Sequence, residues 1–257
     1  MAWLSRPDGC RLFFEVHGDP KRRPLVLLEG MGGDLSGWRR NIPHLAAELF
    51  VVGYDFRGNG RSDAPDGPVT MSTFVDDTIA LLDELRIERA HLYGQSFGGM
   101  VAQELVLRHP QRVGALVLAC THAGGGHVVR TRAKVPKDRP YLALYAPRFA
   151  AEHLEHVLED LRVGARNPQA PHAGKRQWEA VQGFDAHDRL PEIMAPTLVL
   201  HGSEDMMIDP ENARVLASRI PGAELRLLEG AGHLYHSEQA ERADEIVLDF
   251  LRRHHDA

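Results

Sequence analysis

The chain alternates short, nearly continuous apolar runs with longer segments whose apolar residues recur every three or four positions. Runs of the first kind read as strands covered on both faces, and segments of the second kind as helices packed by one face. Strands are predicted over Ala2–Arg6, Arg11–His17, Leu25–Glu29, Leu49–Tyr54, Arg89–Tyr93, Ala115–Cys120, Pro196–His201 and Glu224–Leu228. The first two form a predicted hairpin through Pro7, Asp8 and Gly9. The runs from the third onward read as inner strands. Helices are predicted over Thr73–Leu85, Ser96–His109, Pro210–Ile220 and Gln239–Arg253. In the first of these, Phe74, Ile79, Leu81, Leu82 and Leu85 recur while Asp76, Asp77, Asp83 and Glu84 fall elsewhere. Strand alternating with helix predicts an α/β fold, with a mostly parallel eight-stranded sheet flanked by helices.

The rhythm breaks between Ala123 and Leu190. This stretch opens on Gly124, Gly125 and Gly126 and contains Pro136, Pro140, Pro147, Pro168 and Pro171. It offers helices at Phe149–Val163 and Gln177–Phe184 but no strand. So long a connection is not a bare loop, and its expected role is to cover a site. The organisation predicted is a core formed by 1–122 and 191–257 with a helical cap at 123–190. In the cap, Leu154, Val157, Leu158 and Leu161 read as a buried stripe. His153 and His156 have ligand-like spacing, but the stripe leaves them with Glu152, Glu155 and Glu159 on a solvated face. Arg130, Arg132, Lys134, Lys137 and Arg139 could meet an anionic substrate, yet solvated charges are the commoner meaning of such a run.

Composition narrows the function. The 257 residues are 43% hydrophobic and 26% charged, as expected of a globular chain that folds by burial. With 36 acidic against 30 basic residues, the net charge of −6 offers no footprint for nucleic acid or an anionic membrane surface. No apolar window is long enough to span a bilayer, and the amino terminus does not read as a signal segment. Cys10 and Cys120 are expected to be reduced thiols. A cytoplasmic protein is the default.

The strongest chemical signal is Gly94-Gln95-Ser96-Phe97-Gly98, placed between a predicted strand and a predicted helix. The flanking glycines permit a tight turn that pushes the serine outward, and the following helix start favours developing negative charge. A serine hydroxyl needs a base, and the base needs an orienting acid. Gly202-Ser203-Glu204-Asp205 and Gly230-Ala231-Gly232-His233 each follow a predicted strand, at the sheet edge where ligands bind in such folds. Ser96, Asp205 and His233 thus occur in the order nucleophile, acid, histidine. Arg57-Gly58-Asn59-Gly60-Arg61 is conceivable as a phosphate cradle, but its spacing matches neither a P-loop nor a dinucleotide fingerprint.

Together the segments LLEGMGGDLSGW (27–38), YDFRGNGRSD (54–63), YGQSFGGMVA (93–102), LVLHGSEDMMIDP (198–210) and GAGHLYHSEQ (230–239) resemble the α/β-hydrolase superfamily over about residues 12–251. The resemblance implies Asp205 in preference to Glu204 or Asp209, and His233 in preference to His236. It leaves the other histidines as structural or surface residues, and makes the Arg57–Arg61 segment a structural turn. It also implies an oxyanion hole from the backbone N–H groups of Met31 and Phe97. Glu29 stands where the family usually has histidine. A carboxylate there would repel an oxyanion unless hydrogen-bonded, paired or protonated by burial, and the favoured expectation is that it accepts hydrogen bonds that hold the glycine loop.

The expected activity is hydrolysis of a small-molecule ester or lactone through an acyl-enzyme, with no metal or organic cofactor. The wording of the motifs looks similar to small esterases and enol-lactone hydrolases. A carbon–carbon bond hydrolase or perhydrolase could use the same triad, and a non-catalytic ligand receptor could keep the same pocket.

Overall fold

The computed structural model describes residues 2–135 and 137–255. Met1, Asp256, Ala257 and Pro136, the last one of the prolines read in the insertion, lie outside them. Among the described residues, the strands are β1 (Ala2–Ser5), β2 (Arg11–His17), β3 (Pro24–Leu28), β4 (Phe50–Tyr54), β5 (Ala90–Gln95), β6 (Val113–Ala119), β7 (Thr197–Gly202) and β8 (Glu224–Leu228). They form one sheet in the order β1-β2-β4-β3-β5-β6-β7-β8. The β1–β2 and β2–β4 pairs are antiparallel and the other five parallel. The β1–β2 hairpin closes through Gly9 at φ 84°, a conformation that only glycine adopts without cost.

The helices are α1 (Ile42–Ala46), α2 (Met71–Glu84), α3 (Phe97–Arg108), α4 (Pro147–Glu152), α5 (Leu154–Gly164), α6 (Pro171–Gln182), α7 (Glu211–Arg219), α8 (Tyr235–Glu238) and α9 (Ala240–Arg253). Alternate strand residues feed two cores. Val26, Leu28, Leu92, Leu116 and Leu118 join Phe74, Leu82, Val101 and Leu105 of α2 and α3. Leu25, Leu27, Tyr93, Val117 and Leu200 join Leu45, Val247 and Leu251 of α1 and α9 on the opposite face. This two-sided burial is why the central runs are apolar throughout rather than alternating. The exception is β8. Although it reads as an inner strand, it is the sheet edge and mostly only half-buried, because it has a neighbour on one side alone.

The described residues of 123–190 contribute α4, α5, α6 and short 3-10 turns, with an isolated bridge between Gly124 and Asp185. The helix expected over Phe149–Val163 is in fact two, broken at His153 with φ −126° and ψ 44°. The break resets the helical phase. Leu154 is half exposed while Val157 is fully buried, so the stripe expected over Leu154, Val157, Leu158 and Leu161 does not start where the sequence places it. His156 correspondingly turns inward, its Nε2 2.8 Å from Ser237 Oγ, and is not part of a solvated face.

The Arg57–Arg61 turn spends its cations internally. Arg57 makes two bonds to buried Asp77, at 2.6 and 2.8 Å, and one to Asp8 at 2.8 Å, while Arg61 reaches Asp55 and Glu15. The described members of the basic run are exposed, and Arg139 pairs with Asp138. Both cysteines are unpaired and buried. Among the described residues, no helix is long and apolar enough to cross a membrane.

Candidate active site

Parallel register aligns one edge of the sheet. Leu28 pairs with Gly94, Gln95 with Ala119, Ala119 with Leu200 and Gly202 with Leu228, so the loops that leave β3, β5, β7 and β8 emerge together. These loops carry Glu29–Gly33, Ser96, Asp205 and His233.

Ser96 sits between β5 and α3 at φ 53° and ψ −112°, a strained backbone state for a residue with a side chain. Three contacts hold it there. Its N–H donates to Ala119 O at 2.8 Å, Thr121 Oγ1 donates to its carbonyl at 2.7 Å, and α3 continues directly from it. The flanking glycines are required by close approach: a Cβ on Gly94 would lie 2.4 Å from Gly98 O, and one on Gly98 would lie 2.1 Å from Leu28 O. The loop after β3 passes beside the serine, since a Cβ on Gly30 would fall 3.6 Å from Ser96 Cβ.

His233 is buried, and its Nδ1 lies 2.8 Å from Asp205 Oδ2. Asp205 Oδ1 accepts from the backbone N–H groups of Met207 and Ile208 at 2.8 and 2.9 Å. Glu204 is exposed, and Asp209 accepts instead from Glu211 N. Burial would raise the pKa of Asp205, but His233 and His201 together hold it below the usual carboxylate range. Among the histidines that the sequence reads as structural or surface residues, His201 has a part in the site. It is fully buried, and its Nε2 lies 3.0 Å from both Asp205 Oδ2 and Ile208 O. Both neighbours are acceptors, so Nε2 carries the proton and fixes the carboxylate from behind. Its place inside the LVLHGSED segment was the available signal. Gln95 ties the turn to the histidine loop by donating from Nε2 to His233 O at 3.3 Å. His236 packs on Trp38 with ring centroids 4.7 Å apart, and burial pushes its pKa down to about 3, so it stays neutral.

Ser96 and His233 line one cavity of about 480 Å³. Met31, from the loop after β3, lines it too and is half exposed, while Phe97 is the buried first residue of α3 and its N–H lies among those a helix start leaves unpaired. Glu29 is buried against the same loop. Its Oε1 accepts from Gly30 N at 2.8 Å, and Gly33 and Gly37 pack so closely on its side chain that Cβ atoms there would overlap it. Burial, with smaller contributions from Asp34 and Asp55, raises its pKa to about 8 against the single bond from Gly30. Glu29 is therefore mostly uncharged at neutral pH, and it buttresses the glycine loop without placing a full charge under it.

Leu144, Tyr145, Asp160, Leu161 and Val163 from the 123–190 stretch line the same cavity. Leu144 O accepts from Leu234 N at 2.8 Å, and Glu238 Oε1 accepts from both Ala146 N and Gly232 N at 3.1 Å, which anchors this stretch to the histidine loop.

A family model described as the alpha/beta hydrolase fold matches residues 23–162 and 159–240. The RutD protein of Rhizobium rhizogenes, whose name marks it as a carbamate hydrolase, is 32% identical over 94% of this chain and 98% of its own length. Among solved structures, a hydrolase from Pseudomonas aeruginosa is 32% identical over 97% of each chain with a TM-score of 0.87. An enol-lactonase from Burkholderia xenovorans is 27% identical, with 98% of this chain and 100% of that chain covered and a TM-score of 0.86. With most of its length matched by the family model, the chain belongs to the α/β-hydrolase fold family.

Proposed function

We propose that the protein is a serine hydrolase that cleaves a small-molecule carboxylic ester or lactone. The observation that carries this reading is a strained serine turn sharing one cavity with a histidine whose Nδ1 is fixed by a buried carboxylate. With Nδ1 bound to Asp205, His233 has Nε2 left to act as base. Ser96 Oγ attacks the acyl carbon as His233 takes its proton, and Asp205 stabilises the imidazolium. The N–H groups of Met31 and Phe97 hold the oxyanion. His233 returns the proton to the leaving oxygen, and water, deprotonated in turn by His233, releases the acid and restores Ser96. Residues 123–190 act as a cap that shapes the acyl pocket over the 1–122 and 191–257 core. No step requires a metal or organic cofactor. A cytoplasmic setting fits the two unpaired cysteines.

The names of relatives support the bond class, since an enol-lactonase and a carbamate hydrolase both cleave at an acyl carbon bearing a heteroatom. The test is a screen of p-nitrophenyl acyl esters of rising chain length, with lactones and an aryl carbamate alongside, run on wild type and Ser96→Ala. Turnover of an ester or lactone that Ser96→Ala loses supports the reading. Absence of turnover of every ester and lactone, or turnover undiminished in Ser96→Ala, defeats it.

A further inference from the structure

The cavity holds more ionisable groups than the reaction uses. Besides His233 and the Tyr145 phenol, which burial keeps protonated, they are Glu29, Asp34, Arg39, Asp160 and His236. Glu29 and His236 are neutral near pH 7, the first raised to about 8 and the second lowered to about 3 by burial. Asp34 accepts bonds from Ser36 N at 2.9 Å, Ser36 Oγ and Asn167 Nδ2 at 3.0 Å. Arg39 is thus the one permanently cationic side chain on the described lining, and its side chain is only 26% exposed. Such a guanidinium would ordinarily mark the place where a substrate carboxylate binds.

Here that place is already taken. Arg39 Nη2 bonds directly to Asp160 Oδ1, with Glu159 Oε1 at 4.0 Å. Asp160 is itself held at several points. Arg40 Nη2 lies 3.3 Å from Oδ1, while Oδ2 accepts from Ser237 Oγ at 2.5 Å and Tyr145 OH at 3.1 Å and has His156 Nε2 at 3.6 Å. A carboxylate with this many donors does not yield its cation to an entering anion. On the lining, one cation and two carboxylates leave a net charge of about −1. An anionic acyl group would shed its hydration into that field without a free counter-charge, which is costly.

Resting on the ester or lactone reading, we propose that Asp160 is a specificity-determining residue that occupies the cavity's carboxylate site from within. By holding Arg39, it restricts the enzyme to substrates whose acyl group is uncharged.

The test uses two nearly isosteric p-nitrophenyl esters of a six-carbon diacid, one with a free ω-carboxylate and one with an ω-carboxamide. Wild type is expected to favour the amide by at least tenfold in kcat/KM. In Asp160→Asn, which keeps the side-chain shape but frees Arg39, that ratio is expected to fall at least tenfold, mainly through a lower KM for the carboxylate ester. Adding Arg39→Gln to Asp160→Asn should abolish the gain. Arg39→Gln alone removes the one cation on the lining while Asp160 keeps its charge, and should widen the wild-type preference, which keeps the proposal falsifiable if Asp160→Asn does not fold. A wild-type preference for the carboxylate ester, or a ratio unmoved by folded Asp160→Asn or by Arg39→Gln, overturns the proposal while ester hydrolysis stands. Absence of Ser96-dependent turnover of both esters and of the simple acyl esters overturns the parent reading and this one with it.

Discussion

Glu29→Gln isolates the proton that burial places beneath the glycine loop. The wild-type carboxyl has one donor, Gly30 N at 2.8 Å on Oε1, while Oε2 is buried without a partner. Its pKa of about 8 puts ionisation within the working range. Applied to that value, the titration curve gives an ionised fraction of roughly 10% at pH 7 and roughly 90% at pH 9. The charge then appears beside the loop that carries Met31, where it opposes the oxyanion. If only the protonated form is competent, wild-type kcat should fall about tenfold from its plateau by pH 9. Glutamine keeps the acceptor and removes the ionisation, so the variant should stay within about twofold over that interval. The assay is kcat against pH from about 6 to 9.5 on a neutral ester, with the uncatalysed rate subtracted. Stability gives an independent readout. Because the folded pKa lies above the ordinary 4.5, wild type loses stability as pH rises from about 4.5 through about 8 and is level beyond it. The melting temperature of Glu29→Gln relative to wild type should therefore climb across that window. Superimposable alkaline limbs for the two proteins would refute the reasoning.

Three further substitutions probe the frame of the site. Asp205→Asn should lower kcat by several orders of magnitude, with roughly 10⁴ as the scale for a triad acid, while Glu204→Gln, an exposed neighbour, should cost less than about threefold; the reverse ranking in steady-state kinetics would show that the wrong carboxylate is implicated. Gly98→Ala would set a Cβ 2.1 Å from Leu28 O and 2.8 Å from Glu29 O, both backbone atoms, and should cost about 1–3 kcal/mol in urea unfolding; an unchanged midpoint would mean that this close approach is not real.

Much of the fold is legible because burial on both faces leaves a direct trace in sequence. The runs Leu25–Leu28 and Val113–Ala119 can be continuous only where helices cover both sides of the sheet. The candidate site is legible in part for a similar reason: Ser96, Asp205 and His233 each follow a strand in short, glycine-bearing segments whose order survives translation into sequence. What escapes is what depends on phase and on distant pairing. The break at His153 rotates α5, and nothing in the apolar stripe of that segment marks a change of register. Asp160 meets Arg39 across 121 residues, so neither charge signals the other along the chain. His201 lay within a recognised segment, yet its contact with Asp205 depends on how Gly202 to Met207 folds back, with Asp205 Oδ1 bonded to Met207 N and Ile208 N. Glu29 shows the converse. Its unusual identity is visible in sequence, but its charge state is set by its burial in the folded chain.

The central claim is that Ser96 is the nucleophile, and covalent labelling tests it most directly. The protein would be treated with a fluorophosphonate, residual esterase activity followed against extent of labelling, and the modified peptide located by mass spectrometry, with Ser96→Ala in parallel. The account predicts one label per chain on Ser96, activity lost in proportion to labelling, and no label or turnover in a folded Ser96→Ala. Labelling at another residue with loss of activity, or a Ser96→Ala protein that retains wild-type kcat, would contradict it.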